Sequence, residues 1–296
     1  MKTNSIAIKS ENRAPQKGGR EDNRLRLADR AAHDWYRFVL SFPPHLVREY
    51  LQKLGVDGRK RVLDPFCGTG TTLVECKKLG IPSVGTEPNP IACFASRVKV
   101  DWRVNPDGLV EDAHRIAERT TKKFAEDGLE DIDVEDRPLF RSSMTSGLKL
   151  RTLPEESFNL LLKDSISPLQ LHKTLLLLET IQKERNERFV RHERLAVAKA
   201  VLSGVSNLHF GPEVGVRVTK TNTPVVATWL SAVRSMADDL RALKNKAPTE
   251  AIVHPADSRS LRGVLEPNSV DAVITSPPYP NGGLRVKNCV PCNEDF

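Results

Sequence analysis

The sequence predicts an α/β fold built on a doubly wound parallel sheet, and three observations indicate it. Short apolar runs at residues 61–64, 82–86 and 270–274 have the length and composition of buried strands. The first two runs are each followed by apolar residues at helical spacing. The first strand passes into its helix through a glycine-rich turn, as parallel α/β sheets do at their ligand-binding edge.

Residues 64–72 carry that turn and read Asp-Pro-Phe-Cys-Gly-Thr-Gly-Thr-Thr. Gly68 and Gly70 allow positive φ and leave no Cβ between the backbone and a ligand. The next helix is predicted to begin near Thr71, with Thr71 or Thr72 as its cap and its N-terminal amides facing the same space. A Gly-x-Gly turn alone is weak evidence, because many strand-to-helix turns use glycine for geometry only.

The second strand, residues 82–86, ends in Glu87. An acidic residue about 20 positions after the first strand suits a pair of ribose hydroxyls. Taken alone, Glu87 is also what a solvated loop would contain.

The third apolar run leads into Ser276, Pro277, Pro278 and Tyr279. The two prolines stop the strand and fix the loop, so that the Pro277 carbonyl is presented from a stiff backbone. That carbonyl and the Ser276 hydroxyl could accept hydrogen bonds from a planar exocyclic amine, while Tyr279 stacks on its ring. An ordinary strand followed by a proline turn is the structural alternative.

The chain divides into four predicted parts. They are a disordered basic tail (1–30), the first strand–helix units (31–104), a mainly helical insertion (105–250) and the remaining strands with the catalytic loop (251–296). Helical spacing in the insertion is clearest at 169–183, 189–202 and 225–243. The insertion could recognise a target, act as a lid or serve as scaffold, and its loop at 206–221 either contacts nucleic acid or is an ordinary connection.

Composition narrows the function only modestly. The net charge of +7 and 39% hydrophobic residues describe a globular chain that suits a polyanionic partner. No apolar run reaches membrane-spanning length and no signal-peptide core is visible, so we expect no membrane partner and a cytoplasmic location. The five cysteines have no spacing typical of a disulfide framework, which predicts reduced thiols. Cys289 and Cys292 stand without further ligands, which favours a chance pair, so no metal site is predicted.

Residues 64–72 and 276–279 together resemble the first and catalytic motifs of the S-adenosylmethionine-dependent DNA methyltransferases that modify exocyclic amines, the cytosine-N4 and adenine-N6 enzymes. The resemblance implies a Rossmann-like methyltransferase sheet, incomplete here at strands one to four, and S-adenosyl-L-methionine as the cofactor. The implied cofactor-binding residues are Asp64, Phe66, Gly68, Gly70, Thr71, Thr72, Glu87 and Asp257. The implied catalytic residues are Ser276, Pro277, Pro278 and Tyr279.

The resemblance also implies individual roles. Asp64 lies near the methionine amino group, Glu87 binds the ribose and Asp257 binds the adenine amine. Residues 33–47 are similar to a segment that closes over the methionine end, although a packed aromatic helix start would look alike.

The implied function is a site-specific DNA methyltransferase of the restriction-modification type, acting on double-stranded DNA with a flipped target base. Ser276 in the first position of the catalytic motif favours cytosine N4. The alternatives are adenine-N6 methylation, RNA amino-methylation, small-molecule methylation and an inactive fragment that only binds cofactor or DNA.

Where the family has further strands after the catalytic loop, this sequence ends at Phe296. We therefore expect a truncated or split enzyme, completed by a second polypeptide. Alone, the chain is expected to lack activity and to self-associate through an exposed edge strand.

Overall fold

The computed structural model describes residues 25–37, 41–131, 148–210, 214–216, 219–220 and 222–277. The strands are β1 (Val62–Asp64), β2 (Ser83–Thr86), β3 (Leu208–Phe210), β4 (Val214–Val216), β5 (Ala251–His254) and β6 (Ala272–Val273). The α-helices are α1 (Pro44–Lys53), α2 (Thr71–Lys78), α3 (Pro90–Lys99), α4 (Pro106–Glu126), α5 (Glu155–Phe158), α6 (Pro168–Lys183), α7 (Val190–Ala200) and α8 (Val225–Leu243). A π-helical turn, Val201–Val205, extends α7.

Four of the strands form one parallel sheet in the order β5-β2-β1-β6, which confirms the predicted α/β class. The strand that follows the insertion, β5, joins the outer side of β2, and β6 pairs with β1. Every residue of β1 and β2 is buried, as expected for parallel strands covered on both faces. β5 and β6 are the two outer strands of the described sheet, and Val273 of β6 is 54% exposed. Self-association through β6 stays a prediction.

The start of α2 corrects one prediction. Gly70 occupies the N-cap position with φ 85°, and no side chain caps the helix. Thr71 and Thr72 already lie inside the first turn, where their hydroxyls cannot reach the free amides in capping geometry. The helix begins where predicted, but it leaves its N-terminal amides open.

The segment between β2 and β5 is mainly helical, and α4 packs against both α6 and α8. Its apolar core is continuous with that of the sheet, since Leu73 of α2 and Trp229 of α8 belong to the same buried cluster. The antiparallel hairpin β3–β4 was not predicted, because its strands are three residues long and lack buried apolar residues. The proposed domain boundaries stay a proposal.

A smaller cluster packs α1 and α2 against the β1 and β6 side of the sheet. It contains Val47, Leu51, Val62, Cys76, Ile81 and Ile274. Within the described ranges, none of the helices has the length and apolar character needed to cross a membrane.

Candidate active site

The glycine-rich turn lies at the carboxyl end of β1 and has two left-handed glycines. Gly68 has φ +52° and open space where a Cβ would stand, whereas a Cβ on Gly70, φ +85°, would lie 2.4 Å from Ser96 Oγ. The turn is anchored to β2 by the Cys67 amide, which donates to the Thr86 carbonyl at 3.1 Å. A half-buried backbone without a Cβ at Gly68 can approach a ligand closely.

Glu87 follows β2 and reaches the same turn. Its carboxylate accepts hydrogen bonds from the Gly68 amide at 3.0 Å and the Asn89 amide at 2.8 Å. Burial raises the pKa of Glu87, while these two hydrogen bonds act in the opposite direction. The carboxylate therefore lies beside the turn, at the carboxyl ends of the strands, where parallel α/β folds bind ligands.

Asp64 is fully buried at the end of β1 and connects the turn to the segment that follows β6. Its Oδ1 accepts hydrogen bonds from the Phe66 amide at 3.1 Å and from the Thr275 hydroxyl at 2.7 Å. Burial raises the pKa of Asp64, although hydrogen bonds from Thr275 and Thr72 act to lower it. Sequence reasoning missed Thr275, because only the pairing of β1 with β6 brings it to Asp64.

The remaining predicted residues are placed as follows. Ser276 is half-buried and Pro277 exposed, directly after β6, while Pro278 and Tyr279 lie outside the described residues. The Phe66 side chain is 37% exposed beside the turn. Thr72 Oγ1 lies 3.4 Å from the Ile274 carbonyl, which links α2 to the residue after β6.

Asp257 follows β5, on the far side of β2 from the turn. Its carboxylate is held by Arg259, whose Nη2 lies 2.6 Å from Oδ2, and this hydrogen bond lowers the pKa of Asp257 to about 2. Both side chains are exposed, and the Asp257 carboxylate is already occupied by Arg259.

The segment with the looser resemblance, residues 33–47, packs at the start of α2. A narrow crevice there, with no room for a water molecule, is lined by Leu25, His33, Arg37, Phe42, Pro44, Thr71 and Lys99. His33 Nε2 lies 2.7 Å from Glu75 Oε1 of α2, and burial lowers the pKa of His33 to about 3. His33 is therefore neutral and donates to the Glu75 carboxylate, which Arg48 and Lys78 also contact.

Lys99, at the end of α3, is a second residue that sequence reasoning missed. It is 1% exposed, and its ammonium donates to the carbonyls of Thr69 at 2.7 Å and Tyr36 at 3.2 Å. Burial, followed by the charges of Arg37 and Lys78, lowers the pKa of Lys99 to about 7. It joins the glycine-rich turn to the N-terminal segment.

Part of the insertion loop at 206–221 is held in the fold by hydrogen bonds. The Asn207 side-chain Nδ2 donates to the Asp164 carbonyl at 2.9 Å, and its Oδ1 accepts from the Lys220 backbone amide at 2.9 Å. The Lys220 ammonium contacts the Gly204 carbonyl. Arg217 and Thr221 lie outside the described residues, as do Cys289 and Cys292.

Comparison with known proteins finds a matching family profile and several relatives. The DNA methylase family profile matches residues 9–96, which include the glycine-rich turn and Glu87. The type II methyltransferase M.BsoBI of Geobacillus stearothermophilus is 27% identical over 271 residues, 86% of this chain and 50% of that protein. The chain is thus similar to DNA methylases over residues 9–96 and to a type II methyltransferase over most of its own length.

Two further relatives match shorter stretches of the chain. The type II methyltransferase M.MjaII of Methanocaldococcus jannaschii is 38% identical over 68 residues, 23% of this chain and 13% of that protein. A tRNA (guanine(10)-N2)-dimethyltransferase of Methanothermobacter thermautotrophicus is 29% identical over 123 residues, 39% of this chain and 33% of that protein. No solved structure matches. The match to M.BsoBI spans about half the length of that protein, and the matches to the other two relatives span less of theirs.

Proposed function

We propose that this chain carries the cofactor pocket and the start of the catalytic loop of a DNA methyltransferase that uses S-adenosyl-L-methionine. The observation that carries the proposal is the parallel pairing of β1 with β6. With this pairing, Ser276 and the glycine-rich turn both follow the carboxyl ends of neighbouring strands. The hydrogen bond from the Thr275 hydroxyl to Asp64 lies between them. Ligands of open parallel sheets bind at the carboxyl ends of the strands.

The residues present fit this cofactor. The turn offers backbone without a Cβ at Gly68, and the open amides of α2 face the same region. The Glu87 carboxylate stands on the turn with acceptor capacity beyond its two amide partners, which suits ribose hydroxyls. In this proposal Asp64 holds the turn in place, and Asp257 takes the adenine amine after releasing Arg259.

The cofactor, when bound, supplies a methyl group on a positively charged sulfur. The chain's residues position the amine that receives it. The Ser276 hydroxyl and the Pro277 carbonyl accept hydrogen bonds from a flipped base, which orients the nitrogen lone pair toward the methyl carbon. Pro278 and Tyr279 are proposed to complete the loop, with Tyr279 stacked on the base. No cysteine nucleophile is needed, because the amine attacks directly.

The substrate is proposed to be an exocyclic amine in double-stranded DNA, cytosine N4 before adenine N6 on the identity of Ser276. A second polypeptide, or a further part of the same protein, would supply the rest of the target pocket. The tRNA methyltransferase similarity keeps RNA amino-methylation as the second candidate.

Binding tests the cofactor assignment. Isothermal titration calorimetry with S-adenosylmethionine should show Glu87→Ala binding roughly 10- to 100-fold more weakly than wild type, the loss of a charge-assisted hydrogen-bond pair. Glu49→Ala on α1, whose carboxylate is exposed and paired with Lys53, is the matched control and should bind like wild type. Equal affinity of folded Glu87→Ala and wild type would remove Glu87 from the site.

Product analysis tests the reaction. The full-length protein is incubated with DNA and, separately, with total tRNA, and the nucleosides are identified by mass spectrometry. N4-methylcytosine in DNA is expected. N6-methyladenine would correct the target base, methylated guanine in tRNA would favour the second candidate, and 5-methylcytosine would overturn the assignment because it needs a cysteine nucleophile.

A further inference from the structure

The segment that leads to Ser276 leaves the sheet after a short pairing. β6 pairs with β1 over two residues, Ala272 and Val273, and the Ile274 amide then donates to the Leu63 carbonyl at 3.0 Å. Beyond Ile274, the described residues of this segment form no further backbone hydrogen bond with β1. The position of Ser276 therefore depends on side-chain contacts.

Two threonine hydroxyls supply these contacts. The Thr275 hydroxyl donates to Asp64 Oδ1 at 2.7 Å, and Thr72 Oγ1 lies 3.4 Å from the Ile274 carbonyl. Asp64 and Thr72 are both 0% exposed, so the partners on β1 and α2 are fixed by the close packing of the core. The Thr275 contact is the shorter and has a carboxylate as its acceptor, which makes it the stronger of the two.

The acceptor of Thr275 also holds the glycine-rich turn. Asp64 Oδ1 accepts a second hydrogen bond, from the Phe66 amide at 3.1 Å. One buried oxygen thus joins the start of the turn to the residue directly before Ser276. Because Asp64 keeps the Phe66 amide when the Thr275 hydroxyl is removed, the effect of Thr275 on its own segment can be separated from the effect of Asp64 on the turn.

We propose that Thr275 is a positioning residue for the methyl-transfer step. Its hydroxyl fixes the backbone from which the Ser276 hydroxyl and the Pro277 carbonyl receive the target amine, and it fixes that backbone relative to the glycine-rich turn. Thr275 acts through Asp64 and takes no part in the transfer itself. The inference rests on the proposed function, in which Ser276 and Pro277 hold the target base.

A comparison of conservative variants tests this role. Thr275→Val keeps the shape of the side chain without its hydroxyl, and Thr275→Ser restores the hydroxyl. Thr120→Val is the matched control, since Thr120 on α4 is buried and its hydroxyl donates to the Ile116 carbonyl of its own helix at 2.8 Å. Each full-length protein is checked for folding by urea denaturation.

Two quantities are measured for each folded protein. Calorimetry gives the Kd for S-adenosylmethionine. The rate of tritiated-methyl transfer to unmethylated genomic DNA is measured in a single turnover at saturating cofactor, so that it reports the transfer step separately from cofactor binding.

Thr275→Val should transfer the methyl group roughly 10- to 100-fold more slowly, the loss expected for a hydrogen bond to a charged acceptor, while its Kd for S-adenosylmethionine stays within about threefold of wild type. Thr275→Ser should recover the rate to within about threefold of wild type, and Thr120→Val should match wild type in both measurements. An unchanged rate in Thr275→Val, a loss of cofactor affinity as large as the loss of rate, or no recovery in Thr275→Ser would overturn the inference while leaving the proposed function intact.

Hydrogen–deuterium exchange gives a readout that needs no turnover. The segment 272–277 should exchange roughly tenfold faster in Thr275→Val than in wild type, with 62–64 unchanged. Equal exchange of 272–277 in the two folded proteins would also overturn the inference. If Thr275→Val does not fold, Thr275→Cys, whose thiol is a weak donor, takes its place with the same expected losses. Folded wild type that binds no S-adenosylmethionine, or transfers no methyl group to DNA, would overturn the proposed function and the positioning role with it.

Discussion

At the residue scale, the two glycines of the turn have different reasons to be glycine. Gly68 needs only its left-handed backbone, since nothing lies within 4 Å of where its Cβ would stand. Gly70 needs the left-handed backbone and also the absence of a side chain, because Ser96 of α3 is packed against it. The sequence alone shows two equivalent glycines.

Gly70→Ala should therefore destabilise the protein more than Gly68→Ala. A left-handed alanine costs about 1–2 kcal/mol, and forcing a methyl group against Ser96 adds about 1–3 kcal/mol. Urea denaturation of the two variants measures the difference, and Gly68→Ala serves as the control for the backbone term. Equal free energies of unfolding would show that Ser96 moves aside without penalty.

A second residue-scale feature is the buried carboxyl group of Glu193 on α7. It is 0% exposed, and burial followed by a hydrogen bond with Asp112 raises its pKa to about 9. Asp112 is itself paired with Arg115, so Glu193 is the member of the carboxyl pair that holds the proton. In the unfolded chain the same group ionises near pH 4.5.

The stability should therefore decline as the pH rises between about 4.5 and 9, because the unfolded state releases the Glu193 proton first. Glu193→Gln, which cannot ionise, should gain roughly 4 kcal/mol of stability relative to wild type between pH 5 and pH 8. Urea denaturation at both pH values measures this. A stability difference that is the same at pH 5 and pH 8 would contradict the assignment of the proton to Glu193.

At the element scale, α8 depends on a cap supplied from far away in the sequence. Pro224 at its N-cap offers no side-chain acceptor, and Asp131 takes that role. Its carboxylate accepts hydrogen bonds from the amides of Val225 at 2.7 Å, Val226 at 2.8 Å and Ala227 at 3.2 Å. A carboxylate at a helix N-terminus is favourable for hydrogen bonding and for the helix dipole.

Asp131→Ala should lower the free energy of unfolding by about 2 kcal/mol, since it leaves these amides without an acceptor and removes a partner of buried Lys173. Asp131→Asn, which retains one carbonyl acceptor, should lose about half as much. Thermal and urea denaturation give both values. If the alanine and asparagine variants were equally stable, hydrogen bonding by the Asp131 carboxylate would not be the source of the stabilisation.

The same helix shows which features a sequence can predict. Apolar spacing predicted 225–243, and the helix spans Val225–Leu243, because periodicity is written into consecutive residues. Other features join residues that are distant in the chain, so no local pattern predicts them. They are the cap by Asp131, the hydrogen bond from Thr275 to Asp64 and the contacts of Lys99. The glycine-rich motif was visible because it combines a strand, a turn and a helix in one short run, and the Ser276 motif because an apolar run leads directly into two prolines.

At the scale of the whole molecule, the N-terminal segment connects the sheet to the helical insertion. On one side, His33 contacts Glu75 of α2. On the other, Asp239 of α8 accepts hydrogen bonds from the Ala32 amide at 3.0 Å and the Trp35 indole at 2.7 Å. Because the apolar core is also continuous across both parts, we expect them to unfold as one cooperative unit.

Asp239→Ala tests that expectation. The Trp35 indole is 2% exposed and would lose its acceptor, so the free energy of unfolding should fall by about 1–3 kcal/mol. The neighbouring Asp238→Ala is the control. Its side chain is 75% exposed and pairs, among the residues that the structure describes, with Arg241 on the same helix, so a change above about 0.5 kcal/mol is unexpected. Urea unfolding is followed by circular dichroism for the helices and by tryptophan fluorescence for the core.

Coincident transitions that shift together in Asp239→Ala are expected, since loss of one contact in a shared core lowers the stability of the whole unit. Separate transitions, with only one of them shifted, would show that the insertion and the sheet fold independently and that Asp239 joins two domains.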